Sequence, residues 1–274
     1  MKLNEMRQIL DQRGILLTKS LGQNFLHDEN QLKRIVDAAA LNASDQVLEV
    51  GPGLGPLTEW LVAYAGSVTA IEVDQRLVAF LRERFVAVNN LTLIHADALQ
   101  YLKDHSRDWS SWKLVANLPY SVASPLLVEL ALGGNGPLRM VTTLQLEVAK
   151  RLIAKADTDE YGVLTLLLRL DYQARIAFRV PPSCFFPAPD VDSSCIVLEK
   201  RVRPLLPPAS RRVYVSLVKL AFSQRRKMMM KLLKATWPEE TLQKAFVALK
   251  LPADIRAEKV ELEGFVALAE MLTA

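Results

Sequence analysis

The stretch QVLEVGPGLGPLTEWLVAY, residues 46–64, decides the fold. A short apolar run leads into glycines at every second position, and an apolar segment of helical spacing follows. Strand, glycine turn and helix in that order is the arrangement that binds nucleotides. Gly51, Gly53 and Gly55 let the backbone take positive φ and approach a ligand closely, and the following helix offers free N–H groups. Glycine turns of this kind also join strands to helices where nothing binds. The dinucleotide fingerprint wants glycine at the first, third and sixth positions. Counted from Gly51 the sixth residue is Pro56, so the loop is GxGxG, with Glu49 two residues ahead of it.

The same rhythm extends on both sides. QVLEV, VTAIEV, LTLIHA, KLVANL and MVTTLQL are short apolar runs separated by segments of helical periodicity such as DQRLVAFLRERFVAV. Strands apolar on both faces that alternate with helices predict a parallel sheet covered on both sides, the doubly wound α/β class. VLTLLLRLDYQARIAFRV and SSCIVLEKRV follow without a helical pattern between them, which predicts an antiparallel pair at the sheet edge. Ahead of the sheet, DENQLKRIVDAAAL reads as a helix with Asp28 as N-cap.

Two further acids fall at ends of these runs. Glu72 closes the second strand, 21 residues beyond Gly51, where a carboxylate can accept ribose hydroxyls. Asp97 follows the third, where it can accept from an adenine amino group. Singly, each is more often a helix cap or a solvated turn. Together they mark the carboxyl ends of successive strands, where open α/β sheets bind ligands. An adenosine-containing cofactor without a pyrophosphate fits best, and S-adenosylmethionine is the common one.

The fourth run ends in Asn117-Leu118-Pro119-Tyr120. Pro119 disfavours a helical Leu118 and leaves its carbonyl free to face the cleft. The Asn117 side-chain oxygen, a backbone carbonyl and an aromatic ring complement an exocyclic amine on a base, which has two N–H donors and a flat face. Acceptors aimed at both hydrogens favour a pyramidal nitrogen whose lone pair points at a methyl donor. The plainer reading is a strand-ending turn with a packed tyrosine. CFFPAPDVDSS, residues 184–194, offers a second aromatic face through Phe185 or Phe186, and alone it is more often a core-packed turn.

Composition narrows the alternatives. Half of the 274 residues are apolar and 23% are charged, an ordinary globular balance. No apolar run is long enough to span a membrane, and MKLNEMRQILDQRG has no apolar signal core. The expectation is a cytoplasmic protein without membrane contact. Cys184 and Cys195 are read as free thiols, and His27, His95 and His105 show no metal-ligand spacing, so no metal is expected. Charge is regional. From Glu199 to Lys234 there are eleven Lys and Arg against one acid, net +10, which leaves −6 on the rest of a chain whose total is +4. That asymmetry suits a module that meets a polyanion. RVRPLLPPAS, residues 201–210, reads as a linker, and the segments beyond it look helical throughout.

LGQNFLHD, EVGPGLGPLT, IEVD, HADAL, NLPY, QLEVAKRL, YGVLTLLL, FFPAPDVDSS and AFSQRRKMMMKLL stand in that order along the chain. These motifs resemble the S-adenosylmethionine-dependent rRNA adenine dimethyltransferases. GQNFLHD and AFSQRRK lean toward the group acting on 16S rRNA of the small subunit. The resemblance implies a Rossmann-like methyltransferase fold, with a mostly parallel seven-stranded sheet and an antiparallel edge over residues 1–203, including an N-terminal extension, 1–27. A small, basic, all-helical RNA-recognition domain would follow over 204–274. The resemblance also implies that Asn24, Leu26, Gly51, Gly53, Glu72, Asp97 and Asn117 contact S-adenosylmethionine. Asn117 and Tyr120 would hold the target base with Phe185 stacked on it. The crowding of positive charge, apart from the resemblance, makes Arg225, Arg226 and Lys227 the expected RNA contacts. Asp190 departs from the pattern, standing where the family carries a basic residue.

The leading expectation is an enzyme that transfers two methyl groups to each of two adjacent adenosines near the 3′ end of 16S rRNA. Its substrate would be the small subunit or a late assembly intermediate, and the enzyme would be a monomer. A dinucleotide-dependent oxidoreductase is the second reading, opposed by the missing sixth glycine. A non-catalytic RNA-binding assembly factor is the third, disfavoured by Glu72, Asp97 and Asn117.

Overall fold

The computed structural model describes residues 1–17, 22–105, 107–132 and 134–273. Leu21, which opens the LGQNFLHD motif, lies outside them. The chain divides into two compact units, Met1–Ala149 with Ala174–Lys200, and Lys150–Gln173 with Arg201–Ala274. The expected boundary near residue 203 is therefore incomplete, because residues 150–173 pack with the C-terminal helices.

The first unit opens with helix α1 (Leu3–Gln12), strand β1 (Phe25–Leu26) and helix α2 (Glu29–Ala39). Alternation then runs as anticipated: β2 (Gln46–Val50), α3 (Pro56–Tyr64), β3 (Ser67–Glu72), α4 (Gln75–Arg84), β4 (Leu91–His95), α5 (Ala98–Asp104), β5 (Trp112–Asn117), α6 (Ala123–Leu132), β6 (Arg139–Gln145) and α7 (Leu146–Ile153). After α8 (Val163–Arg169) come β7 (Tyr172–Val180), β8 (Phe185–Phe186) and β9 (Ser193–Lys200). The seven-stranded sheet has the order β4-β3-β2-β5-β6-β9-β7. Its first five strands are parallel, and β9 runs antiparallel to β6. The antiparallel edge is present, with the last strand inserted inside the outermost one.

One valine from each of five strands, Val47, Val68, Val115, Val141 and Val197, forms an apolar row on one sheet face. Helix α2 covers it with Leu32, Ile35, Val36 and Ala39, and α3 with Leu57 and Leu61. Complete burial of each such side chain contributes roughly 1.5–3 kcal/mol. Asp28 caps α2 by accepting from the Gln31 N–H at 2.9 Å, as its sequence position implies. Strand order reverses between β2 and β5, and such a switch point opens a crevice at the carboxyl ends of the strands.

Two local expectations change. VLTLLLR is not strand but helix α8, within the second unit. Leu166, Leu167 and Leu168 are all buried there, and a short run buried on every side has no period that separates helix from strand. The Thr165 hydroxyl accepts from the Gly162 N–H and donates to the Arg151 carbonyl, fixing the helix start.

The basic segment is likewise interrupted. Helix α9 (Pro208–Ala221) stops before a turn, and α10 (Met229–Leu233), α11 (Glu239–Ala248) and α12 (Leu262–Met271) follow. Ser223 donates its hydroxyl to the Leu220 carbonyl, and the Lys227 N–H closes onto the Gln224 carbonyl. Such local bonds compete with helix continuation. Tyr161 and Tyr214 anchor this unit, donating to the Val260 and Leu166 carbonyls at 2.9 and 3.0 Å.

Candidate active site

A cleft of about 370 Å³ lies at the switch point. The glycine loop after β2, the ends of β3 and β4, the corner after β5 and residues 22–25 of the N-terminal segment line it. Two glycines are dictated by contact as well as by positive φ. A Cβ on Gly51 would sit 3.1 Å from the Pro119 ring, and one on Gly53 would sit 2.6 Å from the Phe25 ring. The loop thus fits flush beneath its neighbours, leaving backbone toward the cleft.

Glu72 closes β3 and is only 5% exposed. Oε2 accepts the Gly53 N–H at 3.1 Å, and Oε1 accepts the Val73 and Asp74 N–H groups at 3.0 Å each. Burial pushes its pKa up while the three N–H groups oppose that rise. A carboxylate has about four acceptor sites, so Oε2 keeps one for a hydroxyl. Behind it, Glu49 is 1% exposed and accepts the Thr58 hydroxyl at 2.7 Å. Burial raises the Glu49 pKa to about 8, and the nearby Glu72 adds to the rise.

Asp97 is a helix cap at the border of the cleft. Its Oδ1 caps α5 by accepting from the Gln100 N–H at 2.9 Å. Asn117 ends β5, donating its amide to the Asn24 carbonyl at 2.8 Å and accepting from the Thr143 hydroxyl on β6. These partners fix the amide orientation and leave Oδ1 a second lone pair. Tyr120 borders the cleft in the following turn, and its hydroxyl lies 2.6 Å from the Ser193 hydroxyl.

Asn24, Gly51, Gly53, Glu72, Asp97, Asn117 and Tyr120 are therefore brought together. Leu26 and Phe185 are not. Leu26 pairs with Phe185 across β1 and β8. Their side chains, 1% and 3% exposed, belong to the core under α2. Consecutive strand residues face opposite ways, so Phe25 borders the cleft while Leu26 is buried behind it. The expected stacking by Phe185 is not available from this position. The sequence pattern does not single out Phe25, Thr143 or Ser193, although Phe25 stands in QNFLHD and Ser193 in DVDSS. Among Arg225, Arg226 and Lys227, all exposed in the α9–α10 turn, Arg225 donates to the Thr158 carbonyl at 3.1 Å. Arg211, also counted in the basic segment, instead pairs with the buried Asp171.

A tight glycine cradle, a buried carboxylate at the end of the second strand and an NLPY corner at the fourth suit an adenosine-containing cofactor held beside a polar corner. A model of the family described as "Ribosomal RNA adenine dimethylase" matches residues 15–274, and the chain belongs to that family. It is 38% identical to ribosomal RNA small subunit methyltransferase A of Ligilactobacillus salivarius, covering 97% of this chain and 93% of that one. The counterpart in Geobacillus thermodenitrificans is 36% identical, covering 97% and 94%. Among solved structures, the 23S rRNA methyltransferase ErmE matches with a TM-score of 0.68 and 29% identity over 91% of this chain and 99% of that one. A dimethyladenosine transferase from Plasmodium falciparum matches with a TM-score of 0.77 and 25% identity over 89% and 95%. The oxidoreductase reading falls with this membership.

Proposed function

We propose that the protein dimethylates the N6 amines of two adjacent adenosines in a hairpin loop near the 3′ end of 16S rRNA, in a small subunit or a late assembly intermediate. The observation that carries this reading is the closeness of the glycine loop to the NLPY corner, where a Cβ on Gly51 would come within 3.1 Å of the Pro119 ring. That closeness supports reading the corner as an amine site beside the cofactor. The names of the relatives supply the small-subunit substrate. A monomer acting in the cytoplasm is the default reading, and no helix among the described residues is long and apolar enough to cross a membrane.

S-adenosylmethionine supplies an electrophilic methyl group. Gly51 and Gly53 give it backbone at close range, Glu72 and Asp97 take its ribose and adenine, and the residues 22–25 wall it in. Asn117 Oδ1 and the NLPY backbone accept the hydrogens of the target amine, and the Tyr120 ring holds the face of a base taken out of its stack. No strong base is required at the nitrogen. Arg226 and Lys227, exposed in the α9–α10 turn, read as phosphate contacts within the helical unit. Radiolabelled methyl transfer to small subunits from cells lacking this modification, followed by mapping of the labelled nucleotides, tests the assignment. Label on two adjacent adenosines near the 3′ end is expected, and label confined to large-subunit RNA or absent altogether overturns it.

A further inference from the structure

We infer that Ser193 is a positioning residue for methyl transfer, holding the Tyr120 ring at the angle the target base requires. The inference rests on the role given to Tyr120 above. Tyr120 sits in a turn beyond β5, closed by the Val122 N–H on the Pro119 carbonyl. Ser193, by contrast, is the first residue of β9 and is fully buried. It is paired in register with Gln145 of β6, and the Asp192 carbonyl just before it accepts the Leu146 N–H at 2.9 Å. Its hydroxyl is therefore carried by the sheet frame.

The separation also fits. Strands β5, β6 and β9 are successive neighbours, so β5 and β9 stand two spacings apart, roughly 10 Å. The Tyr120 hydroxyl, reaching from the turn after β5, meets the Ser193 hydroxyl of β9 at 2.6 Å. With the Cβ held by the turn and the hydroxyl held by β9, the long axis of the ring is set at both ends. The aromatic-proline element thus acts on the base pocket through Ser193, while its first aromatic, Phe185, belongs to the core.

Single-turnover methyl transfer to unmodified small subunits, with calorimetric S-adenosylmethionine binding and thermal melts, tests this. Ser193→Ala and Tyr120→Phe each delete the same bond. Each is expected to slow the transfer step roughly three- to tenfold at saturating substrate, on the scale of one hydrogen bond, with cofactor affinity unchanged. The double variant should be no slower than the slower single one, and Ser193→Thr, which keeps a hydroxyl, should restore most of the rate. Losses that multiply in the double variant, a wild-type rate for either single one, or a lowered melting point with an unchanged rate per folded molecule would each overturn the inference. Tyr120→Leu separates the two claims. If it too turns over normally, the base-holding role of Tyr120 fails; if it is slow while Ser193→Ala is not, only the positioning role fails.

Discussion

The Asn117 side chain donates to the backbone carbonyl of Asn24 at 2.8 Å, tying the end of β5 to the N-terminal segment across the cleft. One residue thereby links the wall of the cofactor site to the amine corner. Asn117→Ala should lower turnover by roughly 100-fold, the scale of one preorganised polar group. It should also weaken S-adenosylmethionine binding by a smaller factor, because Asn24 loses its anchor. Calorimetry beside single-turnover kinetics reads both, and a folded variant with near-normal methylation would remove Asn117 from the chemistry.

Gly53 and Phe25 set a second test. Gly53→Ala places a methyl group against a ring that is 6% exposed and part of the core around Leu54 and Leu81. It also places a non-glycine residue at φ +61°. Stability should fall by about 1–3 kcal/mol, with S-adenosylmethionine affinity reduced. Phe25→Ala is itself a core truncation, and in its background Gly53→Ala should cost less, leaving only the backbone strain. Denaturant melts of both single variants and the double one check this, and no cost of Gly53→Ala in the Phe25→Ala background would contradict the strain component.

Phe185→Ala should behave as a core truncation, costing about 3–5 kcal/mol of stability. Methylation per folded molecule, measured well below the melting transition, should be nearly unchanged. A large loss of turnover in a variant as stable as wild type would return Phe185 to the base pocket.

Glu49 gives stability a pH dependence of defined sign. Its folded pKa, about 8, lies above the ordinary value of 4.5. The folded state therefore holds the proton more tightly, and this contribution, complete below pH 4.5, is lost as pH rises toward 8. Glu49→Gln keeps an acceptor for Thr58 and removes the titration. Melting temperatures from about pH 5 to about pH 9 should decline more steeply for wild type than for the variant, and parallel curves would show that Glu49 is ionised throughout.

Reversal of Arg225, Arg226 and Lys227 to Glu should weaken binding to the ribosomal particle and flatten its salt dependence. The log–log slope should change by roughly 0.7–0.9 units for each phosphate that is no longer neutralised. S-adenosylmethionine affinity should not change. Arg211→Ala is the contrasting variant, since its guanidinium serves the buried Asp171, and it should lower stability with little effect on the salt slope. An unaltered slope in the folded triple variant would place the RNA-binding surface elsewhere.

Residues whose type is dictated by backbone chemistry are readable in the sequence. The glycine loop, Asp28 at its helix start, and Glu72 and Asp97 at their strand ends all stand where spacing places them. What escapes such reading depends on which way a side chain faces across elements distant in sequence. Leu26 lies in a motif whose Phe25 borders the cleft, yet Leu26 and its β8 partner Phe185 both belong to the core. Helix α8 escapes because leucines buried on all sides carry no period. The break in the basic segment rests on Ser223 and Gln224, whose local hydrogen bonds leave little trace in a pattern of apolar residues.

The inserted strand β9 bears on how the chain is made. It is the last strand to leave the ribosome, yet it lies inside the sheet, between β6 and β7. A nascent chain halted before Ser193 presents β6 as an open edge, a template for wrong pairing. It also lacks the hydroxyl on which Tyr120 rests. Truncated translation products therefore expose that edge and leave Tyr120 unbraced, and they are expected to aggregate and to methylate nothing. Methyl transfer is expected only from chains whose final strand has threaded home.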